Sequence, residues 1–353
     1  MNASQKIRVL IVDDSLVARE MLAQILATDA DIEVVGTARD GREAVEAVPR
    51  LRPDLITMDI HMPRMDGLEA TEEIMAYHPT PILVVSSSVH GEGMGRAFDA
   101  LKMGALEVIK KPEPRDWAEL EKIGREVIRK VKVLAGVTVI THIRGRRGDR
   151  ASIPPTIRIT EPVSTRSIVA IGSSTGGPTA LLAVLAPLPA ELPVPIVIAQ
   201  HIAEGFIPGL VSWLNTGTKL QVEAAQNGLA ASPGVAYLAP TGLNLVMDKG
   251  TMRFARPGTG QLYVPSADTL FASVASAYGS RGVGVILTGM GADGAMGLRA
   301  MRDAGAATIA QDESTCTVYG MPRAAVEAAA AGTVLPLQEI AERVMSDLET
   351  RAR

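Results

Sequence analysis

The 353-residue chain has a single cysteine, Cys316, so no disulfide framework can form within it, and a reducing compartment is its expected setting. It also lacks a long apolar run. None follows residues 1–6, and no uninterrupted apolar stretch approaches the roughly 20 residues that span a bilayer, so a cytoplasmic protein with no membrane insertion is expected. Net charge is scarce too: 35 Lys and Arg against 39 Asp and Glu leave −4, a balance that does not point to nucleic acid. Histidine is nearly absent from the second half, where His201 alone follows residue 166. What is present is ample apolar material, 47% of residues, and a length that suggests two domains. These are expected at 1–132 and 166–353, joined by a linker at 133–165 where periodicity gives way to Thr, Arg, Gly and Pro.

In the first half, Ile7 to Val12 reads as an apolar strand ending in Asp13-Asp14-Ser15, and apolar residues at helical spacing follow to Leu26. The alternation repeats to about Lys132, which gives five βα units and predicts a doubly wound, flavodoxin-like parallel sheet. Sites in such sheets lie beyond the carboxyl ends of the strands, where Asp13, Asp14, Asp59, Ser86 and Lys111 all fall. Converging carboxylates repel one another, and a hard cation such as Mg²⁺ explains why they are together. With Mg²⁺ and the Lys111 ammonium neutralising an incoming phosphoryl group, Asp59 is expected to attack a phosphodonor and Ser86 to bond the phosphoryl oxygen. Each residue alone reads equally well as a solvated strand-end group; five at one edge argue for a site.

Val9-Leu-Ile-Val-Asp-Asp-Ser15, Asp59-Ile-His-Met-Pro-Arg-Met-Asp-Gly67 and Lys111-Pro112 resemble the signatures of response-regulator receiver domains, over the chain up to about residue 130. The resemblance implies that Asp59 is the phosphoacceptor for a histidine kinase phosphodonor. It implies that the Asp14 and Asp59 carboxylates and the His61 backbone carbonyl ligate Mg²⁺, that Asp13 helps through water, and that Ser86 and Lys111 contact the phosphoryl group. Val108 stands where receivers usually place an aromatic switch residue, so signalling by an aromatic rotamer flip is not expected.

The second half opens with a strand at Ser167 to Ile171 that runs into Gly172-Ser-Ser-Thr-Gly176, followed by a small-residue helical run. The G-x-S-x-G spacing suits a nucleophile elbow: glycines permit a strained turn, Ser174 stands clear of the sheet, and the helix N-terminus favours developing negative charge. A plain glycine turn or a phosphate cradle fits the same five residues. A serine nucleophile needs a base, and His201, just after a strand at Pro195 to Ala199, is the histidine available. The orienting acid has five aspartate candidates, Asp248, Asp268, Asp293, Asp303 and Asp312, besides the glutamates. Asp293 is preferred because Gly289, Gly291 and Gly294 make a tight strand-to-helix turn that delivers it to the sheet's carboxyl edge. The order Ser, His, Asp differs from that of α/β-hydrolases, so the G-x-S-x-G match does not imply that fold; strands that alternate with helices and feed polar loops predict a second, Rossmann-like parallel sheet.

Ala170-Ile-Gly-Ser-Ser-Thr-Gly-Gly177, Gln200-His201, Leu287-Thr-Gly-Met-Gly-Ala-Asp-Gly294 and Ala310-Gln-Asp-Glu313 with Val318-Tyr-Gly-Met-Pro322 resemble the catalytic domain of the protein-glutamate methylesterases of bacterial chemotaxis, the CheB family. By that resemblance Ser174 is the nucleophile, His201 the base and Asp293 its orienting acid, with Thr175 and Met290 lining the site. Asn244 stands where the family often has a histidine and is read as lying outside the triad. The resemblance implies hydrolysis of glutamate methyl esters on the cytoplasmic helices of chemoreceptors, releasing methanol, and deamidation of receptor glutamines, with no cofactor for either. A receiver ahead of an enzyme implies control, and the expectation is an unphosphorylated receiver that hinders access to the elbow and is released by phosphorylation at Asp59. The competing readings are a silent receptor- or nucleotide-binding output module, against which the lack of a G-K-[ST] loop counts, and an esterase for a small soluble ester.

Overall fold

A computed structural model describes residues 6–87, 93–114, 116–139 and 167–349. The chain divides into two compact units, Met1–Ala151 and Ser152–Arg353. Residues 140–165 of the expected linker lie outside the described residues.

The first unit holds a parallel sheet in the order β2-β1-β3-β4-β5: β1 is Ile7–Val12, β2 Ile32–Ala38, β3 Leu55–Met58, β4 Ile82–Ser86 and β5 Glu107–Lys110. Helices α1 (Leu16–Ala27), α2 (Gly41–Leu51), α3 (Gly67–Tyr77), α4 (Gly93–Lys102) and α5 (Trp117–Leu134) connect or follow the strands. Strands such as β3 and β4 are buried along their whole length, as expected of a sheet covered on both faces. The helix starts follow local chemistry: Ser15, Asp40, Asp66 and Asp116 each accept a backbone N–H of the first turn, and Asp66 with Glu69 forms a full capping box. One boundary moves. The linker was expected to begin at 133, but α5 continues to Leu134, which is fully buried, and Ala135 and Val137 pack on the same core.

The second unit is built on a seven-stranded sheet in the order β14-β13-β12-β6-β7-β9-β8, parallel at every pairing. Its strands are β6 (Ile168–Ser173), β7 (Ile196–Gln200), β8 (Gln221–Ala224), β9 (Val235–Leu238), β12 (Gly282–Ile286), β13 (Ala307–Gln311) and β14 (Thr333–Leu335). Helices α6 (Gly177–Leu185), α7 (Ile207–Gly217), α8 (Ala267–Tyr278), α9 (Ala295–Asp303), α10 (Met321–Glu327) and α11 (Leu337–Glu349) complete it. An antiparallel hairpin, β10 (Asn244–Asp248) with β11 (Thr251–Ala255), stands apart from the main sheet. Its turn, Lys249-Gly250, has φ of 47° and 87°, the two positive values of a type I′ hairpin.

Lys-Gly is a weaker sequence signal for such a hairpin than Asn-Gly. The short, half-exposed edge strand β14 carries too few residues to show a period. Helix α7 carries Pro208 in its first turn, where proline is tolerated.

Candidate active site

Both sheets change winding direction once, and both candidate sites lie there. In the first unit β1 is flanked by β2 and β3; Asp13 follows β1 and Asp59 follows β3. The carboxylates of Asp13, Asp14 and Asp59 offer oxygens within 4.8 Å of one another. Lys111, just after β5, places Nζ 2.7 Å from Asp13 Oδ2 and 3.0 Å from Asp59 Oδ2. Asp59 is buried and its Oδ1 accepts the Ile60 N–H at 2.8 Å. Burial, reinforced by the charge of Asp13, raises the Asp59 pKa above its ordinary value despite Lys111. Burial alone would lower Lys111, but its hydrogen bond to Asp13 and the charges of Asp59 and Asp13 outweigh that and raise it.

Ser86 ends β4, fully buried, and its carbonyl accepts the Lys111 N–H at 2.9 Å. His61 lies exposed two residues past Asp59, in the loop before α3. The donors fit a hard cation: three carboxylates converge, Lys111 pairs with Asp13 and Asp59, and Asp14 faces solvent, where water can complete a coordination shell. Val108 is buried on β5, with no ring to rotate.

In the second unit the reversal falls between β6 and β12. Ser174 follows β6, His201 follows β7, and Asp293 lies in the loop between β12 and α9. Ser173 and Gln200 are register partners, so Ser174 and His201 leave adjacent strands side by side. Gln200 locks that exit: its Oε1 accepts the Ser173 hydroxyl at 2.6 Å, and its Nε2 donates to the carbonyls of Ser174 at 2.9 Å and His201 at 2.8 Å. This separates the two serines. Ser173 is fully buried with its hydroxyl committed to Gln200, whereas Ser174 keeps 8% exposure. The turn is not an elbow strained at the serine, since Ser174 is absent from the residues of positive φ; Gly176, at φ 74°, takes the left-handed conformation.

His201 Nε2 lies 2.8 Å from Asp293 Oδ2, and its buried Nδ1 has no hydrogen-bond partner among the described residues. Asp293 also accepts the Ser266 hydroxyl (2.8 Å) and the backbone N–H groups of Ala267 (2.6 Å) and Asp268 (3.2 Å) at the start of α8. Burial opposes its charge, but His201, the Ala267 N–H and the Ser266 hydroxyl win, and its pKa is lowered. Asp268 returns the favour by accepting the Gly297 N–H in the first turn of α9 at 2.7 Å. The carboxylate before α9 therefore caps α8, and the one in α8 caps α9. Burial, with the nearby Asp293 charge, raises the Asp268 pKa.

Thr288 joins the turns, donating its hydroxyl to the Thr175 carbonyl at 3.0 Å and accepting the Val318 N–H at 2.9 Å. Gly289 has no room for a side chain, because a Cβ there would lie 2.7 Å from Ser174 Cβ. Gly289-Met-Gly-Ala-Asp-Gly294 also has the spacing of a dinucleotide-binding loop. Ser174 fills the space over Gly289, and the Tyr263 hydroxyl lies 2.6 Å from where a Cβ of Gly291 would be. A pyrophosphate has no close approach at either glycine.

Residues 169–344 match the model of the CheB methylesterase family, and residues 9–122 that of the response regulator receiver domain. A protein-glutamate methylesterase/protein-glutamine glutaminase of Anaeromyxobacter dehalogenans is 45% identical over 334 residues, 95% of this chain and 95% of that protein. The chain belongs to the CheB methylesterase family. A second relative of that printed name, from Geobacter metallireducens, is 44% identical over 96% of this chain and 98% of its own. The crystal structure of the Thermotoga maritima CheB methylesterase catalytic domain is similar at 37% identity, covering 51% of this chain and 98% of that one, with a TM-score of 0.49. The receiver-plus-methylesterase order of the family thus covers this chain nearly end to end.

The structure brings Asp13, Asp14, Asp59, Ser86 and Lys111 to one sheet edge, and Ser174, His201 and Asp293 to another. Thr175 is buried beside Ser174, and Met290 is half-buried between Gly289 and Gly291. Asn244 makes no bond to the triad among the described residues, yet its Oδ1 accepts the N–H of Ser266, whose hydroxyl bonds Asp293. Sequence reasoning assigned no role to Gln200, Ser266 or Tyr263. Ser266 carried a findable signal as an N-cap serine before a helical period.

Proposed function

We propose that the second unit is a serine hydrolase that removes methyl groups from glutamate methyl esters of chemoreceptor helices and deamidates receptor glutamines, under control of the receiver. The observation that supports the mechanism is the His201–Asp293 pair, which occupies Nε2 and leaves a buried Nδ1 without a partner among the described residues, on the residue that leaves the sheet next to Ser174. The Ser174 hydroxyl attacks the ester carbonyl and passes its proton to His201 Nδ1, while ionised Asp293 stabilises the imidazolium. The Thr175 N–H, at the start of the α6 turn, is the natural first donor to the oxyanion. Collapse expels methoxide, which leaves as methanol with the proton from Nδ1. Water, deprotonated by His201, then cleaves the glutamyl-serine ester and restores Ser174. A glutamine amide follows the same course with ammonia as leaving group. The family match sets aside a silent output module.

In the receiver, Asp13, Asp14, Asp59 and the His61 carbonyl would hold Mg²⁺, which supplies charge neutralisation for the incoming phosphoryl group. Asp59 takes that group from a histidine kinase, Lys111 offsets its charge, and Ser86 bonds one of its oxygens. The domains are assigned as a receiver ending with α5, a linker, and an esterase from about residue 166, acting in the cytoplasm. Phosphorylation is assigned to shift the population toward an arrangement that opens Ser174 to a receptor helix.

The test is methanol release from methylated receptor membranes by wild type and Ser174→Ala, with and without a small phosphodonor. Ser174→Ala is expected to fall by at least about 10³-fold. Equal rates for the two proteins would remove the esterase assignment.

A further inference from the structure

A hydrogen bond at one nitrogen leaves an imidazole free to pivot about that bond, and a base that pivots presents its other nitrogen poorly. Among the described residues His201 is hydrogen-bonded through its ring at Nε2 only, yet the ring is packed from a second direction. The Tyr263 ring lies flat on it, with centroids 4.7 Å apart and planes 7° from parallel. Tyr263 belongs to no helix or strand; it sits in the segment 261–266 that runs from the β10–β11 hairpin region into α8. That segment is tied down by amides. Asn244 Nδ2 donates to Gln261 Oε1 at 3.0 Å, and Gln261 Nε2 donates to Asn244 Oδ1 at 3.2 Å and to the Tyr263 carbonyl at 3.1 Å. Asn244 Oδ1 also accepts the Ser266 N–H at 2.9 Å, at the segment's far end. Between these anchors the segment delivers two groups: the Tyr263 ring to His201 and the Ser266 hydroxyl to Asp293 at 2.8 Å.

We propose that Tyr263 is a positioning residue for the catalytic base: held by the Asn244–Gln261 amide pair, its ring fixes the plane of the His201 imidazole so that Nδ1 stays aimed at Ser174. The inference rests on the esterase reading of the same site. It assigns the tyrosine's work to its flat face rather than to its hydroxyl, and to the orientation of His201 rather than to substrate binding. Gly291 takes part passively, since a side chain there would strike the Tyr263 hydroxyl and push the ring from its place.

The experiment compares methanol release by the full-length wild type, Tyr263→Leu, Tyr263→Phe and Ser174→Ala on methylated receptor membranes. Tyr263→Leu is expected to lower kcat by about ten- to a hundredfold, the cost of a misplaced catalytic group, with KM within about twofold of wild type. Tyr263→Phe, which keeps the stacked face, is expected to retain kcat within about twofold. Gln261→Met leaves the ring in place but loosens its anchor, and is expected to lower kcat a few-fold at constant KM; it carries the test if Tyr263→Leu fails to fold. Wild-type kcat in both Tyr263→Leu and Gln261→Met, a loss expressed in KM, or a Phe variant as impaired as the Leu variant overturns the proposal. If Ser174→Ala instead matches wild type, it is the esterase reading that fails.

Discussion

Asp59 and Asp293 hold equivalent addresses, each just beyond a parallel strand at the point where its sheet reverses winding, and both are nearly buried. Their surroundings drive them in opposite directions. Asp59 is desolvated among other acids, with one lysine shared between it and Asp13, and its pKa is raised. Asp293 is equally removed from water but faces a helix N-terminus, a serine hydroxyl and a histidine, and its pKa is lowered. The sheet fixes where each carboxylate stands; the donors around it decide whether its charge is disfavoured or held.

Replacing each acid by its amide breaks this comparison most sharply. Asp293→Asn is expected to lower kcat by about 10³–10⁴-fold, because the amide cannot stabilise the imidazolium and offers His201 a wrong hydrogen-bond polarity. Methanol release without phosphodonor reads this. The variant should also lose roughly 1.5–3 kcal/mol of stability in the catalytic unit, the worth of hydrogen bonds to a charged group.

Asp59→Asn is expected to bring the ratio of phosphodonor-stimulated to basal methanol release down to one. The two variants should also move stability against pH in opposite senses in metal-free buffer. A raised folded pKa gives Asp59 a contribution that is full below the ordinary value of 3.8 and lost as pH rises through the folded value. The lowered pKa of Asp293 gives a contribution present above 3.8 and lost as pH falls through the folded value. Calorimetry at neutral pH should therefore show Asp59→Asn raising the receiver transition and Asp293→Asn lowering that of the catalytic unit. Shifts of the same sign contradict the contrast.

The smallest effect sharpens it. Asp268 neighbours Asp293 but has a raised pKa and serves only α9, where asparagine caps as well as aspartate. Asp268→Asn is expected to leave kcat within about twofold and stability within about 0.5 kcal/mol. A loss like that of Asp293→Asn would make the pair a single unit.

Much of this was legible in the sequence because parallel α/β sheets put polar residues at strand ends, where apolar periodicity stops. Asp13, Asp59, Ser174 and His201 stand out for that reason, and the three glycines around Asp293 separate it from Asp268. What stayed hidden depends on register between distant segments. Gln200 reads as the last residue of a strand until β6 and β7 align and its amide meets Ser173 and Ser174. Asn244 and Gln261 are 17 positions apart, and nothing local announces that their amides pair. The end of α5 lies past the expected boundary at 132, and only packing on the core shows the helix reaching Leu134.

The exchange of carboxylates between α8 and α9 has a mechanical consequence. Each helix start is bonded by an acid from the other's side, so a slide of one helix past the other would strain both sets of bonds. The carboxylate that meets His201 is thereby part of a two-helix clamp, and carrying the arrangement of Ser174, His201 and Asp293 into another scaffold would mean carrying both helices with it.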